Sequence, residues 1–337
     1  MAARIPSPPP ERLLEYDDGL HLGGTILWFD APRDRDLCFL SHAAVEDLPV
    51  HRKVLATPGT FELLEHGLGA ALPLPCPYFR PFFLGELELE LIPSGFLHGA
   101  AQLLVTWRKT RILYARSLAV RAGRVADPLR IRRCDVLVLD APLGRPGLRV
   151  PPREQVEAEL LDFVQESLHA GQPPVLLADR LGLSQEVLAL LLERGLPVRC
   201  HPAIARKAAV LQAQGRLAAA PEKRGALRAD EVLLWPLAAR QAPTLTSGAA
   251  RPCLAALGLD AVLDPERLRR EEDVERTFPL TRHADLEELV TFVQATGASS
   301  VLLVGGFTAP LRDRLLALGI PAEELLPPTQ TELPTAG

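Results

Sequence analysis

Lysine is almost missing from this chain. Basic residues number 37 against 42 acidic ones, and all but Lys53, Lys109, Lys207 and Lys223 are arginines. With abundant alanine, leucine and proline, this bias reflects GC-rich coding more than a physical need. The formal charge of −5 gives no electrostatic footprint for nucleic acid over the chain as a whole, although local basic patches remain open. Cysteines are few and scattered: Cys38, Cys76, Cys134, Cys200 and Cys253 include no C-x-x-C pair. That spacing argues against structural zinc, and an odd count suits a reducing compartment. No apolar run reaches bilayer length, and the proline-rich start (Pro6, Pro8 to Pro10) holds no signal-peptide core, so a cytoplasmic location is expected. Neither G-x-x-x-x-G-K-S/T nor G-x-S-x-G occurs, which leaves P-loop nucleotide hydrolysis and α/β-hydrolase chemistry without a motif. What remains is 337 residues, 47% hydrophobic and 23% charged, long enough for two domains and a large core.

Residues 1–12 are expected as a disordered leader. The alternating stretch 20–30, broken by Gly23-Gly24, reads as a hairpin whose second strand ends in Asp30. A short apolar strand at 37–40 follows, then strand and turn at 54–60 and a short helix at 61–68. Strands come densely after that: 86–92 and 102–107 alternate, and 111–114 follows a charged turn. The continuous apolar run 136–139 suits a strand buried on both faces. A Pro/Gly/Arg-rich segment at 141–152 marks a change of regime. Beyond it helices (153–170, 184–194, 203–215) alternate with strands (174–178, 196–200, 231–234), which predicts a parallel sheet with helices packed on it. A polar stretch at 264–276 precedes 277–285, a helix at 286–295, a strand at 300–304, Gly305-Gly306 and a helix at 309–318. The fold class is α/β, with one domain interrupted by another. The expected boundaries are 13–150 for the first part, 151–276 for the insertion, 277–326 for the return and 327–337 for a tail.

Seven short segments carry a more specific signal. One strand ends in Asp30. Ser41-His42-Ala43-Ala44-Val45-Glu46-Asp47 sets a histidine and two carboxylates just past a strand. Pro93-Ser94-Gly95-Phe96-Leu97-His98-Gly99-Ala100-Ala101-Gln102 is a glycine-bearing loop, and Tyr114-Ala115-Arg116-Ser117 closes another strand. Leu139-Asp140-Ala141-Pro142-Leu143-Gly144-Arg145-Pro146, Thr281-Arg282-His283-Ala284-Asp285 and Val304-Gly305-Gly306-Phe307 complete the set. In this order and at these spacings the chain resembles the metallo-β-lactamase/β-CASP nucleases, in particular the bacterial ligase-associated DNA exonucleases also described as messenger-RNA 3′-end processing factors. The likeness covers most of the chain and implies an αββα sandwich interrupted by a β-CASP α/β domain.

The resemblance also implies two metal ions, held by imidazoles and a bridging carboxylate, that activate water against a phosphodiester. Measured against that pattern, Ala44, Phe96 and Gly305 stand where the family has histidines, Asp47 replaces another, and Ser117 replaces the bridging aspartate. Asp30, His42, Asp140 and His283 keep the expected residue or charge type, and Glu46 is one methylene too long. Arg116 adds positive charge where cations would sit. A degenerate hydrolase is therefore expected, with no intact catalytic set and with Asp30, Asp140 and His283 vestigial. No cofactor is expected, or at most one weakly bound zinc or manganese on His42, Glu46 and Asp47.

Such a protein would be a binding or scaffolding subunit in DNA repair or RNA processing. Its partners would be DNA or RNA and an active homologous nuclease, a DNA ligase or a helicase, with no membrane involved. Two other classes stay open: an active nuclease or phosphoesterase with a remodelled single-metal site, and a protein-interaction module that binds no nucleic acid. Arg108, Lys109, Arg111 and Arg116 line a nucleic-acid groove on the sharper reading and are charged turns or solvated faces on the plainer one. His98 is expected to stay out of the site, because Gly95, Gly99 and Gln102 hold the register around it. Phe96 is expected to fill the vacated metal cavity.

Overall fold

The computed structural model describes residues 13–16, 18–45, 49–64, 67–222, 228–241 and 251–325. Three sheets organise them. Strands β1 (Leu14–Tyr16), β2 (Leu20–Leu22), β3 (Leu27–Phe29), β4 (Leu37–Phe39), β5 (Lys53–Ala56) and β6 (Leu72–Pro75) form a six-stranded sheet in chain order. The first three pair antiparallel and the rest parallel. A seven-stranded sheet takes β7 (Phe82–Leu84), β8 (Leu87–Pro93), β9 (Ala101–Trp107), β10 (Thr110–Ala115) and β11 (Val136–Ala141), with β17 (Ser300–Gly306) and β18 (Ala322–Glu324) at its far side.

These two sheets face each other because their strands alternate in polarity. On β8, Leu87, Leu89 and Leu91 turn inward while Glu88 and Glu90 turn out. The inward leucines meet Leu103 and Val105 of β9 and, across the gap, Leu22, Phe29, Leu37 and Phe39 of the first sheet. The apolar run of β11 divides as expected for a strand covered on both sides: Val136 and Val138 enter this core, and Leu137 and Leu139 the opposite one. That opposite face is covered by α7 (Leu286–Thr296) and α8 (Thr308–Ala317) through Leu289, Val290, Val293, Leu311 and Leu315. The outer face of the first sheet, with Leu40, Val54 and Ala56, lies under Phe61 of α1 (Pro58–Leu63) and the turn beyond it. The layers run helix, sheet, sheet, helix.

Between β11 and β17 the chain builds a third, all-parallel sheet. It comprises β12 (Pro174–Ala178), β13 (Val198–Cys200), β14 (Val232–Pro236), β15 (Cys253–Leu257) and β16 (Arg276–Phe278), in the order β13-β14-β12-β15-β16. On one face pack α2 (Arg153–His169), α3 (Leu183–Glu193) and α4 (Pro202–Ala213), and on the other α5 (Leu259–Leu263) and α6 (Pro265–Glu272). The core under α2, α3 and α4 also takes in Leu63, Leu97, Ala100 and Val125 from the sandwich, so the two layers share one continuous apolar seam.

The α/β class and the parallel sheet agree with the sequence reading. Three details differ. The helix expected at 61–68 begins at Pro58, because Thr57 caps it by accepting the Thr60 N–H and proline suits the first helical position. The polar stretch at 264–276 contains α6, and β15 precedes it unannounced. Strand β16 also runs across position 276, so Thr277 and Phe278 still pair with β15 where the return segment was expected to begin. Among the described residues no helix is long and apolar enough to cross a membrane.

Candidate functional site

The marked residues converge where the strands of the sandwich end against the parallel sheet. Asp30 follows β3 with a left-handed φ of 41°, and Ser117 follows β10 at 55°. Side chains other than glycine hold such backbone only where surrounding bonds over-determine it. Here they do. Asp30 Oδ1 accepts the Ser41 N–H at 2.8 Å and its Oδ2 accepts the Tyr114 hydroxyl at 2.9 Å. Tyr114 is buried between Phe29 and Phe39, and burial, followed by the charge of Asp30, holds its phenol well above the usual range. The Ser117 N–H donates to Asp140 Oδ1 at 3.0 Å, which fixes the end of β11 against the end of β10.

His42 is held at both nitrogens. Its Nδ1 accepts the Ala44 N–H at 3.2 Å, so the proton rests on Nε2, which donates to Ser117 Oγ at 3.1 Å. Burial keeps this imidazole below its ordinary pKa, opposed by Asp30 and reinforced by Arg116. The ring of Phe96 stands between two histidines, 5.3 Å from the His42 centroid and 5.0 Å from that of His283. His283 is pushed down to about 4, chiefly by burial and then by His42 and Arg282, and its buried Nδ1 has no hydrogen-bond partner among the described residues. Asp140 moves the other way, to about 6: burial outweighs the Arg116 guanidinium and the Ser117 N–H, and Asp30 adds its repulsion. Arg116 Nε lies 3.7 Å from Asp140 Oδ2.

Two glycines aim Phe96 inward. A side chain at Gly95 would strike the Ala119 carbonyl, and one at Gly99 the Thr60 amide, both glycines having φ of 80°. His98 points away: its Nδ1 meets Asp127 at 2.9 Å, and Arg216 holds the other carboxylate oxygen at 2.6 Å. Burial alone would raise Asp127, but the bonds from His98 and the Gly99 N–H and the charge of Arg216 bring it to about 2.

Arg282 is buried at 7% exposure and donates to the carbonyls of Gly95 and Phe96. Beside it Glu186 accepts N–H bonds from Arg124, Val125 and Ala126 and a guanidinium bond from Arg153. Glu157 takes a bidentate pair from Arg124 and a third bond from Arg153. This ionic cluster ties the loop after β10 to α2 and α3. The sequence reading did not find it.

A cavity of 390 Å³ opens beside Phe96 and His283, lined on its far wall by Asp179, Gly182, Pro236 and Gly258. Its position follows from topology. The connection leaving β12 crosses toward β13 and that leaving β15 turns to β16, on opposite sides, and ligand crevices form at such switch points. Asp179 Oδ1 and Oδ2 accept the Ser184 and Leu183 N–H groups, so the start of α3 is already occupied by a carboxylate.

The remaining candidates are dispersed. Ala44 lies on the exposed side of its loop, and Gly305 is exposed near the end of β17 with nothing within 4 Å of where a side chain would start. Glu46 and Asp47 lie outside the described residues. Arg108 and Lys109 form the turn before β10, Arg108 stacking on Trp107 at 4.4 Å, and Arg111 is on the first half of that strand. Arg116 is past its other end, so the four basic residues do not make one groove: a six-residue strand separates them by about 20 Å.

The two-metal pattern can be tested on these donors. Both Asp30 oxygens accept bonds from the protein, Asp140 faces an amide and a guanidinium, and His42 presents a proton rather than a lone pair. A phenyl ring fills the space between the imidazoles. Among the described residues no group of three or more His, Cys, Asp or Glu side chains converges to hold an ion. The described residues do not fit a pair of metals.

No family model matches the chain. Over 328 residues it is 28% identical to a protein named probable DNA ligase from Opitutus terrae, covering 95% of this chain and 32% of that one. Over 117 residues it is 27% identical to RNase aCSPSF2 of Saccharolobus solfataricus, covering 34% of this chain and 23% of the RNase. The chain thus spans about a third and a quarter of the length of these relatives. A crystal structure of a protein of unknown function from Enterococcus faecalis V583 superposes with a TM-score of 0.56 at 15% identity, covering 86% of this chain and 79% of that one; the two are alike in fold.

Proposed function

We propose that this chain is a catalytically degenerate relative of the metallo-β-lactamase/β-CASP nucleases that binds nucleic acid beside a DNA ligase and does not cut it. The observation that carries the reading is the occupation of the cleft's centre: Phe96 wedged between His42 and His283, with Arg116 set against Asp140. Water activation there would need a Lewis acid, and no described cluster of donors is arranged to hold one.

The helix, sheet, sheet, helix layering fits the sandwich of that family, and the parallel sheet carried between β11 and β17 fits its inserted domain. The ligase connection rests on the relative from Opitutus terrae, in which one polypeptide named as a probable ligase contains a segment like nearly all of this chain. Fusion of that kind raises the effective concentration of one module near the substrate of the other, and separate chains achieve the same by docking.

Fluorescence anisotropy on nicked duplex and single-stranded DNA tests this reading. Binding is expected to survive EDTA and to weaken steeply as salt rises, since phosphate contacts release counterions. Manganese- or zinc-dependent strand cleavage abolished by His42→Ala would sink the reading in favour of a remodelled single-metal enzyme. Absence of any nucleic-acid affinity at low salt would leave a protein-interaction module instead.

A further inference from the structure

Asp30 and Asp140 both act on one point. The Arg116 guanidinium lies 3.7 Å from Asp140 and within the field of Asp30, with the Tyr114 hydroxyl beside it. Its side chain is 44% exposed, so it approaches the two carboxylates from the solvent side of the cleft. In the family pattern this corner is a Gly-Asp pair that serves a cation; here it is Arg116-Ser117. Ser117 has lost the bridging charge, yet its amide still holds Asp140 in place and its hydroxyl receives the His42 proton. The carboxylates of a metal centre have therefore been kept while the metal's ligands were not.

We propose that Arg116 is the resident cation of this site: its guanidinium replaces a divalent ion in neutralising Asp30 and Asp140, so the cleft is set without metal and admits none. The inference deepens the metal-free reading above and rests on it. A guanidinium suits the task because it is permanently charged and bonds carboxylates along fixed N–H directions. A divalent ion needs several lone pairs converging on a point, which Phe96 and the protonated Nε2 of His42 no longer provide. Arg282 completes the arrangement by fastening the backbone of Phe96, so charge and volume of the missing ions are supplied by separate side chains.

The test is the thermal midpoint of the whole chain in EDTA and in millimolar manganese or zinc. The wild-type protein should melt at the same temperature in all three. Arg116→Gln, close to arginine in reach but uncharged, should melt about 2–4 °C lower in EDTA. Neither metal should restore that loss, because the other lone pairs are still missing, and Arg116→Gln combined with Asp140→Asn should recover it. Should Arg116→Gln fail to fold, Arg116→Lys, which keeps the charge, should fold and melt close to wild type with no response to metal, and a Lys variant that also fails to fold would overturn the inference.

Stabilisation of the wild-type chain by metal would overturn both this inference and the metal-free reading. An Arg116→Gln variant that melts like wild type, or whose loss Asp140→Asn does not repair, would overturn this inference alone. Failure of nucleic-acid binding in the anisotropy experiment leaves it standing.

Discussion

Phe96 and His283 meet ring to ring at the centre of the cleft, and each makes a measurable demand on stability. Truncating Phe96 to alanine leaves a void between two imidazoles, and because the ring is only partly buried the loss should be about 1–3 kcal/mol in urea unfolding. His283 gives a pH signature. Its folded pKa of about 4 lies below the value near 6.5 of an unfolded histidine, so between those values the unfolded chain binds more protons. Stability relative to a His283→Phe variant should therefore rise with pH from 4 to 6.5 and stay level above, by about 3 kcal/mol across the window. A flat difference between pH 4.5 and 7.5 would contradict the burial that causes it. Asp140, raised to about 6, opposes this trend in the wild-type chain, which is why the comparison is made against the variant. The sequence marked His42, Phe96, Ser117, Asp140 and His283 through the order of short segments, and the structure brings them together. The sequence did not reveal Tyr114 or Arg282 as partners: nothing in a tyrosine on a strand, or an arginine in a loop, says which carboxylate or carbonyl it will meet.

Elements that bury an apolar face were legible, and elements held by polar bonds were not. Helix α7 follows from its spacing of Leu286, Leu289, Val290 and Val293 and from a capping box in which Asp285 accepts the Glu287 and Glu288 amides while Glu288 reaches back. Asp285→Ala should cost about 1 kcal/mol, more if the nearby Arg121 is left without it, and should lower helix protection in hydrogen exchange first at residues 286–289. Helix α6 buries Leu268 alone. Its stability comes from the Asp264 cap and from ion pairs of Arg267 and Arg269 with carboxylates three and four residues away, none of which produces hydrophobic periodicity. Strand β15, Cys-Leu-Ala-Ala-Leu, carries two alanines with little intrinsic strand preference and is specified by its neighbours in the sheet.

Across the whole molecule, the sandwich and the parallel sheet are joined by an apolar seam and by the cluster of Arg124, Arg153, Glu157, Glu186 and Arg282. Glu186 is 1% exposed, and Arg282, Arg153 and the surrounding N–H bonds hold its pKa below the ordinary value against the upward push of burial. Glu186→Ala takes the acceptor from the Arg124, Val125 and Ala126 amides and a carboxylate from beside Arg153 and Arg282, and breaking a buried pair costs about 3–5 kcal/mol. The two halves should then unfold in separate steps in urea while wild type shows one. No reading of local sequence finds this cluster, since its members are spread from the loop after β10 to the loop before α7 and only the fold brings them together.

The direct parallel pairing of β11 with β17 also sets the order of events during synthesis. Val136 to Leu139 emerge from the ribosome long before Ser300 to Leu303, their neighbours one strand in from the far edge of the sheet. At ordinary elongation rates the ribosome takes roughly 8–30 s to make residues 142–299. Throughout that interval β11 presents an unpaired edge that is apolar from Val136 to Leu139, so the exposure to wrong pairing belongs to the nascent chain more than to the finished protein.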